Sequence, residues 1–384
     1  MKKKGYLSAT LGIPPLLSSS PDTIAALLWA REVLQQHLTT TYAVNDPNGI
    51  EELKPIKVGG VDQWLHIRGR NRNNPILLYL HGGPGFANIG LMDAIQRPWE
   101  DYFTVVQWDQ RQTGKSANDE TEPLTLDQLI EDTEEVVQYL QHHLNQEKLF
   151  LLGHSWGSVP GMHLVKRHPD WLHAYIGIGQ VVNMMDSERV LYERLFSHAK
   201  EQKESQLIDR LEAIAPYPNP DYPEKSFVEN GEFVRRELSR LAGETGMHHL
   251  PPDEMATMFN FERAISPHLT LTDLSHSVLG DEIALLRPPY GFTKEFLAID
   301  LPNDVGSSFE VPILFFSGTH DWQTPRLLSD NWFSQINAPH KELIHFEESC
   351  HVIVNEEPGK VLTALVNTVL PFAQNVPNRE INHV

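Results

Sequence analysis

One serine lies in a glycine-rich turn that could expose its hydroxyl group for chemistry. Ser155 follows the apolar run Leu149 to Leu152 and stands between Gly153 and Gly157 in the pattern G-x-S-x-G. The apolar run predicts a strand buried on both faces, and the residues after the turn have helical spacing. Because the two glycines carry no side chain, they permit a sharp change from strand to helix. The pattern therefore predicts a serine nucleophile at the tip of this turn.

An acid and a histidine follow this serine in the order that would activate it. A serine hydroxyl is a poor nucleophile unless a base takes its proton, and the base needs a third group to orient it. Asp321 follows the predicted strand in VPILFFSG, and His351 follows the next one, in KELIHFE. If these strands are parallel to the strand before Ser155, the three side chains lie at one edge of the sheet. We therefore predict Ser155, Asp321 and His351 as the catalytic residues.

Other interpretations exist for the residues around this predicted triad. Asp321 could instead cap the helix that begins near Pro325. His320 precedes the expected position of the base, because the usual order along the chain is serine, acid and histidine. Glu348 could replace the acid only if the loop geometry were unusual. Cys350 is expected to be a packed small residue and not a second nucleophile.

The sequence YLHGGPGF supplies the second half of a predicted oxyanion hole. In this type of site one N–H comes from the residue after the serine, here Trp156, and the other comes from a loop after an earlier strand. Gly82 and Gly83 allow the chain to approach a reacting carbonyl closely, and Pro84 stiffens the loop. We expect Gly83 to be the donor, with Gly82 as the alternative. The nearby TGKS does not complete a phosphate-binding loop, because Asp109 stands where the required glycine would be.

Strand-like and helical segments alternate along the parts of the chain that carry these motifs. IKVGG and QWLHIRG predict an antiparallel pair, PILLYL, FTVVQW, KLFLL and AYIGIG predict buried strands, and LTLDQLIEDTEEVVQYLQHHL predicts an amphipathic helix. The alternation resumes with VPILFFSG, a helix after Pro325, KELIHFE and a closing helix. The pattern predicts an α/β fold with a mostly parallel sheet flanked by helices, formed by residues 51–182 and 301–384.

Residues 183–300 have a different character and predict a helical cap. Charged helical segments alternate with the proline-rich turns PYPNPDYP, LPPDE and RPPYGF, and strand signals nearly vanish. Because this insertion separates two strands, we expect it to cover the edge of the sheet that carries the catalytic residues. Residues 1–50 form an N-terminal extension, in which PDTIAALLWAREVLQQHL predicts an amphipathic helix. That helix could pack on the core or on a partner subunit of a homo-oligomer.

The composition argues against several classes of function. The 384 residues include 31 Lys and Arg against 51 Asp and Glu, and the formal net charge of −20 disfavours binding to nucleic acids or membrane surfaces. Pro14 and Pro15 interrupt the apolar part of the lysine-bearing N-terminus, which disfavours a signal peptide. The sequence contains no apolar stretch of the length that spans a bilayer. Because Cys350 is the only cysteine, no intramolecular disulfide can form, and we expect a cytoplasmic protein.

The motifs HGGPGF, WDQRQTGKS and GHSWGS occur in the order and spacing of the proline iminopeptidase family, which the chain resembles over about residues 50–182 and 305–370. The resemblance implies an α/β-hydrolase fold with the triad and the oxyanion donors named above. Gln112 departs from the family pattern D-Q-R-G-x-G-x-S. We expect Asp109 and Arg111 of the second motif to form an ion pair that braces the active-site loop.

The predicted function is a serine hydrolase that acts through an acyl-enzyme, in the first place an aminopeptidase for small peptides or amides. Family members recognise a free amino terminus through acidic residues of the cap, and MFNFERA resembles their W-x-x-W-E segment. That resemblance implies Glu262 as an amine-binding residue, although Met258 and Phe261 replace the tryptophans and a solvated surface position is the alternative. A carboxylesterase or lactonase, an acyltransferase and a non-catalytic ligand receptor are the other candidates. We expect no cofactor, and neither QHHL nor MHHLPPDE offers a convincing set of metal ligands.

Overall fold

An eight-stranded sheet lies at the centre of the computed structural model, which describes residues 21–118, 124–219, 221, 224–244, 252–275 and 292–374. Across the sheet the strand order is β1-β2-β4-β3-β5-β6-β7-β8. β1 and β2 pair antiparallel, as do β2 and β4, whereas all other neighbours are parallel. The predicted α/β fold with a mostly parallel sheet is therefore confirmed. The strands are β1 (Ile50–Val58), β2 (Val61–Gly69), β3 (Ile76–Leu80), β4 (Thr104–Asp109), β5 (Leu149–His154), β6 (Leu172–Ile178), β7 (Ile313–Gly318) and β8 (Lys341–Phe346).

Helices connect the strands and flank the sheet. In the described residues they are α1 (Pro21–Tyr42), α2 (Asp93–Gln96), α3 (Leu126–Leu144), α4 (Ser158–Arg167), α5 (Met184–Gln202), α6 (Ser205–Ala213), α7 (Glu224–Glu244), α8 (Pro252–Ile265), α9 (Leu271–Ser275), α10 (Thr293–Ala298), α11 (Leu301–Asp304), α12 (Arg326–Gln335), α13 (Ile353–Glu356), α14 (Pro358–Ala364) and α15 (Pro371–Gln374). None of the helices in this part of the chain has the length and hydrophobicity that crossing a membrane requires.

The closing helix differs from the prediction of one continuous segment. A π-helical turn at Leu365–Val369 separates α14 from α15, with a hydrogen bond of 2.8 Å from the Leu370 N–H to the Leu365 carbonyl. Pro371 begins α15. A proline inside a helix has no N–H to donate, and its ring clashes with the carbonyl four residues earlier. The wider turn before Pro371 relieves that clash.

The parallel strands are buried on both faces, as their continuous apolar runs predict. In β3, Leu78 and Leu80 pack into the hydrophobic cluster on one face, whereas Leu77 and Tyr79 pack into the cluster on the other. Successive side chains of a strand point to opposite faces, so a strand covered on both sides needs apolar residues at every position. Helices on the two faces cover these two clusters.

The strand order places a crevice at the carboxyl ends of β3 and β5. The chain passes from β3 to β4 on one side of β3, and β5 then pairs with the other side. Open α/β sheets bind ligands at such a point, because the connections leave the carboxyl edge in opposite directions. Gly82 follows β3 and Ser155 follows β5, so both predicted site segments begin at this crevice.

Helices α5 to α10 lie between β6 and β7, within the range predicted to form the cap. The boundaries of that cap stay a prediction, and residues 1–20, the turn at 287–291 and the histidines at 248–249 lie outside the described residues. The predicted N-terminal helix is present as α1, and it contacts its own chain. The Arg31 guanidinium donates hydrogen bonds to the carbonyls of Ala264 and Leu269 (2.7 and 2.5 Å), and the Gln35 amide donates to Ser266 (2.5 Å).

Candidate active site

Ser155 lies in the sharp turn between β5 and α4. Its φ of 52° is in the left-handed region, which residues other than glycine rarely occupy. A Cβ atom at Gly153 would stand 2.8 Å from the Ser158 Cα, and one at Gly157 would stand 2.1 Å from the Leu80 carbonyl oxygen. The two glycines are therefore required because the turn presses against its own helix and against the end of β3.

Asp321 and His351 form a hydrogen-bonded pair beyond the ends of β7 and β8. The His351 Nδ1 lies 2.8 Å from the Asp321 Oδ2. Asp321 also accepts hydrogen bonds from the Thr324 hydroxyl (2.7 Å) and from the backbone N–H groups of Gln323 and Thr324 (2.8 and 2.9 Å). Burial alone would raise the pKa of Asp321, but the charge and hydrogen bond of His351 and the bonds from Thr324 hold that pKa below its usual value. The helix that follows begins at Arg326, so Asp321 does not cap it.

The direction of this hydrogen bond determines which nitrogen of His351 can act as a base. An ionised carboxylate only accepts hydrogen bonds, so His351 Nδ1 carries the proton that Asp321 receives. The neutral imidazole then keeps its lone pair on Nε2. His351 and Ser155 line the same cavity. This arrangement leaves Nε2 as the atom that can take a proton from the serine hydroxyl.

The loop after β3 passes beside Ser155 and is fixed by the histidine that begins it. A Cβ atom at Gly82 would stand 3.3 Å from the Ser155 Cβ, and Gly83 has a φ of 117°. The Nε2 of His81 accepts the Gln110 N–H (3.1 Å), so its Nδ1 carries a proton and donates it to the Gly82 carbonyl (2.8 Å). Burial lowers the pKa of His81 to about 4, so the ring is neutral at physiological pH.

Gln110 connects the two predicted halves of the oxyanion hole, and the sequence analysis did not identify this role. Its buried side-chain oxygen accepts the indole N–H of Trp156 (3.1 Å), and its amide nitrogen donates to the His81 carbonyl (3.2 Å). The backbone N–H of Trp156 lies at the start of the helix that follows Ser155, where N–H groups have no partner within the helix. The geometry thus allows this N–H and one from the glycine loop to face a reacting oxygen.

The predicted ion pair between Asp109 and Arg111 is wrong. Arg111 instead pairs with Asp132 of α3 through two hydrogen bonds of 2.8 Å. Asp109 accepts the backbone N–H groups of Ile89 (3.1 Å) and Lys115 (2.9 Å). Because β4 ends at Asp109, the backbone turns between the two residues and directs their side chains to different elements. Asp109 still braces the loop after β3, but it does so through a backbone group.

Gln112 shows why the family pattern has a glycine at its position. Its φ is 62°, in the left-handed region where glycine has no steric penalty. The side-chain amide of Gln112 donates a hydrogen bond of 2.7 Å to Asn118. Gln112 therefore occupies a backbone conformation that is strained for a residue with a side chain.

His154 ties the turn at Ser155 to the loop that carries His351. Its Nε2 lies 3.0 Å from the His351 carbonyl oxygen, and a carbonyl only accepts, so Nε2 carries the proton and donates it. Burial lowers the pKa of His154 to about 3, and the neighbouring His351 contributes in the same direction. The histidine before the serine thus positions the base through the backbone.

A mainly apolar cavity of about 190 Å³ opens over these residues. Gly82, Gly83, Ser155, Trp156 and His351 contribute to its lining. Its apolar wall consists of Phe86, Val181, Met184, Phe227, Val228, Phe259, Phe296 and Val352. Pockets for drug-sized ligands have about 300–1,000 Å³, so this cavity favours a small group at the reacting carbon.

Two glutamates and one arginine line the cavity on the helices above the sheet. Glu188 of α5 is buried and accepts a hydrogen bond of 2.5 Å from the Tyr217 hydroxyl, and it forms an ion pair with Arg235 of α7. Glu232 and Arg235 both line the same cavity as Glu188. The helices above the sheet therefore contribute charged groups to a cavity that is otherwise mainly apolar.

Glu262 is not among the described residues that line this cavity. It lies on α8, and its Oε2 is buried without a hydrogen-bond partner in the described structure. Burial raises the pKa of Glu262 to about 6, with a further contribution from Asp93 and an opposing one from Arg263. Its role in binding an amine stays a prediction. His320 and Glu348 are also absent from the described lining.

Comparison with known proteins identifies the family. A model of the α/β hydrolase fold matches residues 75–358. The chain belongs to the α/β-hydrolase family. This α/β hydrolase is 32% identical over 328 residues to the probable aminopeptidase YbaC of Bacillus subtilis, a match that covers 82% of this chain and 95% of that protein. It is 28% identical over 174 residues to the proline iminopeptidase of Elizabethkingia meningoseptica, covering 44% of this chain and 56% of that protein.

A solved structure shares the fold of this α/β hydrolase. The proline iminopeptidase-related protein from Thermus thermophilus superimposes with a TM-score of 0.58 and 22% identity, over 82% of this chain and 96% of that one. The sequence relatives confirm the resemblance to the proline iminopeptidase family that the motifs indicate.

The sequence does contain a signal that points to Glu188. It shares the buried face of α5 with Leu191, Tyr192, Leu195 and Ala199, at helical spacing. A charged residue on the apolar face of a helix is buried when the helix packs, and this burial costs free energy unless the charge has partners. Such a residue is therefore a candidate for a functional role. Gln110 offers no comparable signal, because only the approach of β3 and β5 brings its partners together.

Proposed function

We propose that this α/β hydrolase is a serine hydrolase that removes N-terminal residues from short peptides or aminoacyl amides. The observation that supports the proposal most is the content of one cavity: Ser155 and His351 lie on the sheet edge, and the carboxylates of Glu188 and Glu232 lie on the helices above. The printed names of the sequence relatives, probable aminopeptidase and proline iminopeptidase, agree with it.

The geometry suggests the following mechanism. Ser155 Oγ attacks the carbonyl carbon of the substrate while its proton passes to His351 Nε2. The backbone N–H groups of Trp156 and of Gly83 or Gly82 stabilise the oxyanion. The tetrahedral intermediate collapses, His351 gives its proton to the leaving amine, and an ester forms on Ser155. His351 then takes a proton from the water that attacks this ester, and it returns that proton to the Ser155 Oγ as the acid leaves.

The carboxylates above the sheet supply selectivity for a free amino terminus. The carboxylates of Glu188 and Glu232 both line the cavity, and each can accept charge-assisted hydrogen bonds from a substrate ammonium group. A substrate with a blocked amine carries no positive charge at this point and would form only weaker hydrogen bonds with these carboxylates. The apolar remainder of the cavity accommodates the small side chain of the N-terminal residue, and proline is one candidate.

The test is a panel of substrates that separates amide from ester and free amine from blocked amine. It consists of prolyl and alanyl naphthylamides, their N-acetylated forms, and short acyl esters. We expect turnover of the free-amine naphthylamides, little turnover of the acetylated forms, and loss of all turnover in Ser155→Ala. Glu188→Gln and Glu232→Gln should each lower kcat/KM for the free-amine substrates about 10- to 150-fold, because a charged hydrogen bond contributes roughly 1.5–3 kcal/mol.

Matched controls make the panel decisive. Glu193→Gln changes an exposed glutamate of the same helix α5 and should leave every rate unchanged. Glu262→Gln should also leave the rates unchanged, and a selective loss with free amines would instead support the residue that the family resemblance implies. If the protein turns over only the esters, its activity is that of an esterase and not of a peptidase. Failure of folded protein to react with a fluorophosphonate probe would contradict hydrolase activity altogether.

A further inference from the structure

A second cluster of chemically active side chains lies outside the Ser155 cavity, where the sheet meets the segment after α8. His66 belongs to β2, Asp93 begins α2, and His268 lies between α8 and α9. The candidate ligand atoms of these residues all lie within 4.8 Å of one another. Three segments that are distant in sequence therefore bring two imidazole rings and a carboxylate to one point.

His66 provides the observation that points to a ligand. It is 1% exposed, and neither of its ring nitrogens has a hydrogen-bond partner among the described residues. Its Nδ1 lies 3.7 Å from the Asp93 Oδ1, which is too long for a hydrogen bond. Buried polar side-chain atoms are bonded in the large majority of cases, so two such nitrogens on one ring require an explanation.

The geometry and the ligand types fit a divalent transition metal. The His268 Nε2 lies 3.1 Å from the Asp93 Oδ2, and the rings of His66 and His268 are 4.1 Å apart between centroids. Ligand atoms held at about 2.1 Å from one ion lie about 3.0–3.4 Å from each other. The distance from His268 to the Asp93 Oδ2 falls in this range, whereas His66 lies 3.7 Å from the other oxygen, Oδ1, and would have to move slightly closer. Imidazole nitrogen with carboxylate oxygen is a donor set typical of Zn²⁺.

Nearby charge also favours a cation. The Oε2 of Glu262, on α8, is buried without a hydrogen-bond partner in the described structure. The negative charge of Asp93 acts on Glu262, so the two carboxylates lie in a common environment. These two carboxylates provide negative charge near the cluster, which Arg263 beside Glu262 and Arg68 beside Asp93 and His66 offset in part.

We propose that His66, Asp93 and His268 bind one divalent transition-metal ion, with Zn²⁺ as the ion that these ligands favour. The ion would join β2 and α2 to the loop between α8 and α9, whose carbonyls also accept the hydrogen bonds of Arg31 and Gln35 from α1. Because α8 contributes Phe259 to the cavity wall, this site would anchor a helix of the predicted cap to the sheet. It takes no part in the proposed hydrolysis and does not depend on it.

The experiment measures metal binding to the untagged full-length protein after treatment with EDTA. Zn²⁺ and Co²⁺ are titrated separately, with metal content by mass spectrometry, Co²⁺ absorption in the visible range, and thermal unfolding. We expect one ion per chain with a Kd below about 1 μM. The Tm should rise by about 3 °C at a hundredfold excess of Zn²⁺ over its Kd.

Variants decide whether the ion occupies the proposed site. His268→Ala and Asp93→Asn alter residues that are not fully buried, and each should weaken binding by about a hundredfold or more while the protein stays folded. His143→Gln is the matched control, because His143 also faces a carboxylate, the Glu52 Oε2 at 2.9 Å, but belongs to no such cluster among the described residues. Absence of saturable binding, or binding that survives His268→Ala and Asp93→Asn, would overturn the proposal.

Discussion

Replacing Gln110 by methionine tests whether one buried side chain holds the oxyanion hole together. Methionine keeps the approximate volume of glutamine but removes the hydrogen bonds to the Trp156 indole and to the His81 carbonyl (3.1 and 3.2 Å). Both partners are buried, and each buried group left without a partner costs about 1–3 kcal/mol. We therefore expect Gln110→Met to lower the free energy of unfolding by about 2–6 kcal/mol.

The effect on chemistry should be separate from this loss of stability. Removing an oxyanion donor costs about 10²- to 10³-fold in rate, and here the donors remain but lose their support, so we expect about a 10- to 100-fold loss. The assay is the second-order rate constant for labelling of Ser155 by a fluorophosphonate, which needs no knowledge of the natural substrate. Urea unfolding provides the stability of the same preparation.

A neighbouring glutamine provides the matched control. Gln107 is equally buried in β4 and also makes two side-chain hydrogen bonds, to Gln96 (3.0 Å) and from Asn88 (3.3 Å), but it does not line the cavity. Gln107→Met should lose similar stability and keep the labelling rate. If Gln110→Met loses stability but labels Ser155 as fast as the unchanged protein, the proposed link between the two halves of the hole is refuted.

Three further predictions concern single positions. Asp321→Asn should lower the kcat for a cleaved naphthylamide about 10⁴-fold, because His351 would lose the acceptor that sets its tautomer; a folded variant with a loss under tenfold would contradict the assignment. The pKa of Glu262 in the folded chain is about 6, above its ordinary value of 4.5. Protonated Glu262 therefore contributes its full stabilisation of the fold below about pH 4.5, and this contribution is lost as the pH rises through 6. Glu262→Gln should therefore raise the free energy of unfolding at pH 8 by about 1 kcal/mol, after allowance for partial exposure, and by nothing at pH 4. Gln112→Val should lower the free energy of unfolding, measured with urea, by about 1–2 kcal/mol, because a β-branched residue is strained at the φ of 62°. Gln112→Gly should be close to neutral.

Much of the fold follows from local patterns along the chain. Continuous apolar runs identify strands such as β3 and β5, because a strand covered on both faces cannot alternate apolar with polar residues. Helix α3 follows from apolar spacing, and Thr125 caps it as such residues commonly do. The interruption of the closing helix before Pro371 was not predicted, although a proline at that position is a local signal for it.

The ion pairs depend on distances that the sequence does not contain. Arg111 and Asp109 are two residues apart, yet Arg111 binds Asp132, which lies 21 positions away along the chain. A charged side chain selects its partner by direction and burial after the backbone has turned, and neither is a property of sequence separation. The same limitation applies to Glu262, which the family motif implies for the cavity and which the structure places outside its described lining.

The sequence by itself determined the elements, their order and the predicted triad. The glycines around Ser155 indicate a strand-to-helix turn, and an acid and a histidine follow later strands. If these strands are parallel, the three side chains lie at the same edge of the sheet. Only the tertiary structure decided which groups complete the site. Gln110 joins Trp156 to His81, and Glu188 reaches Arg235, because packing brings together atoms from segments that no periodicity or motif relates. Local preferences act over a few residues, whereas these contacts exist only once the sheet and the helices above it have assembled.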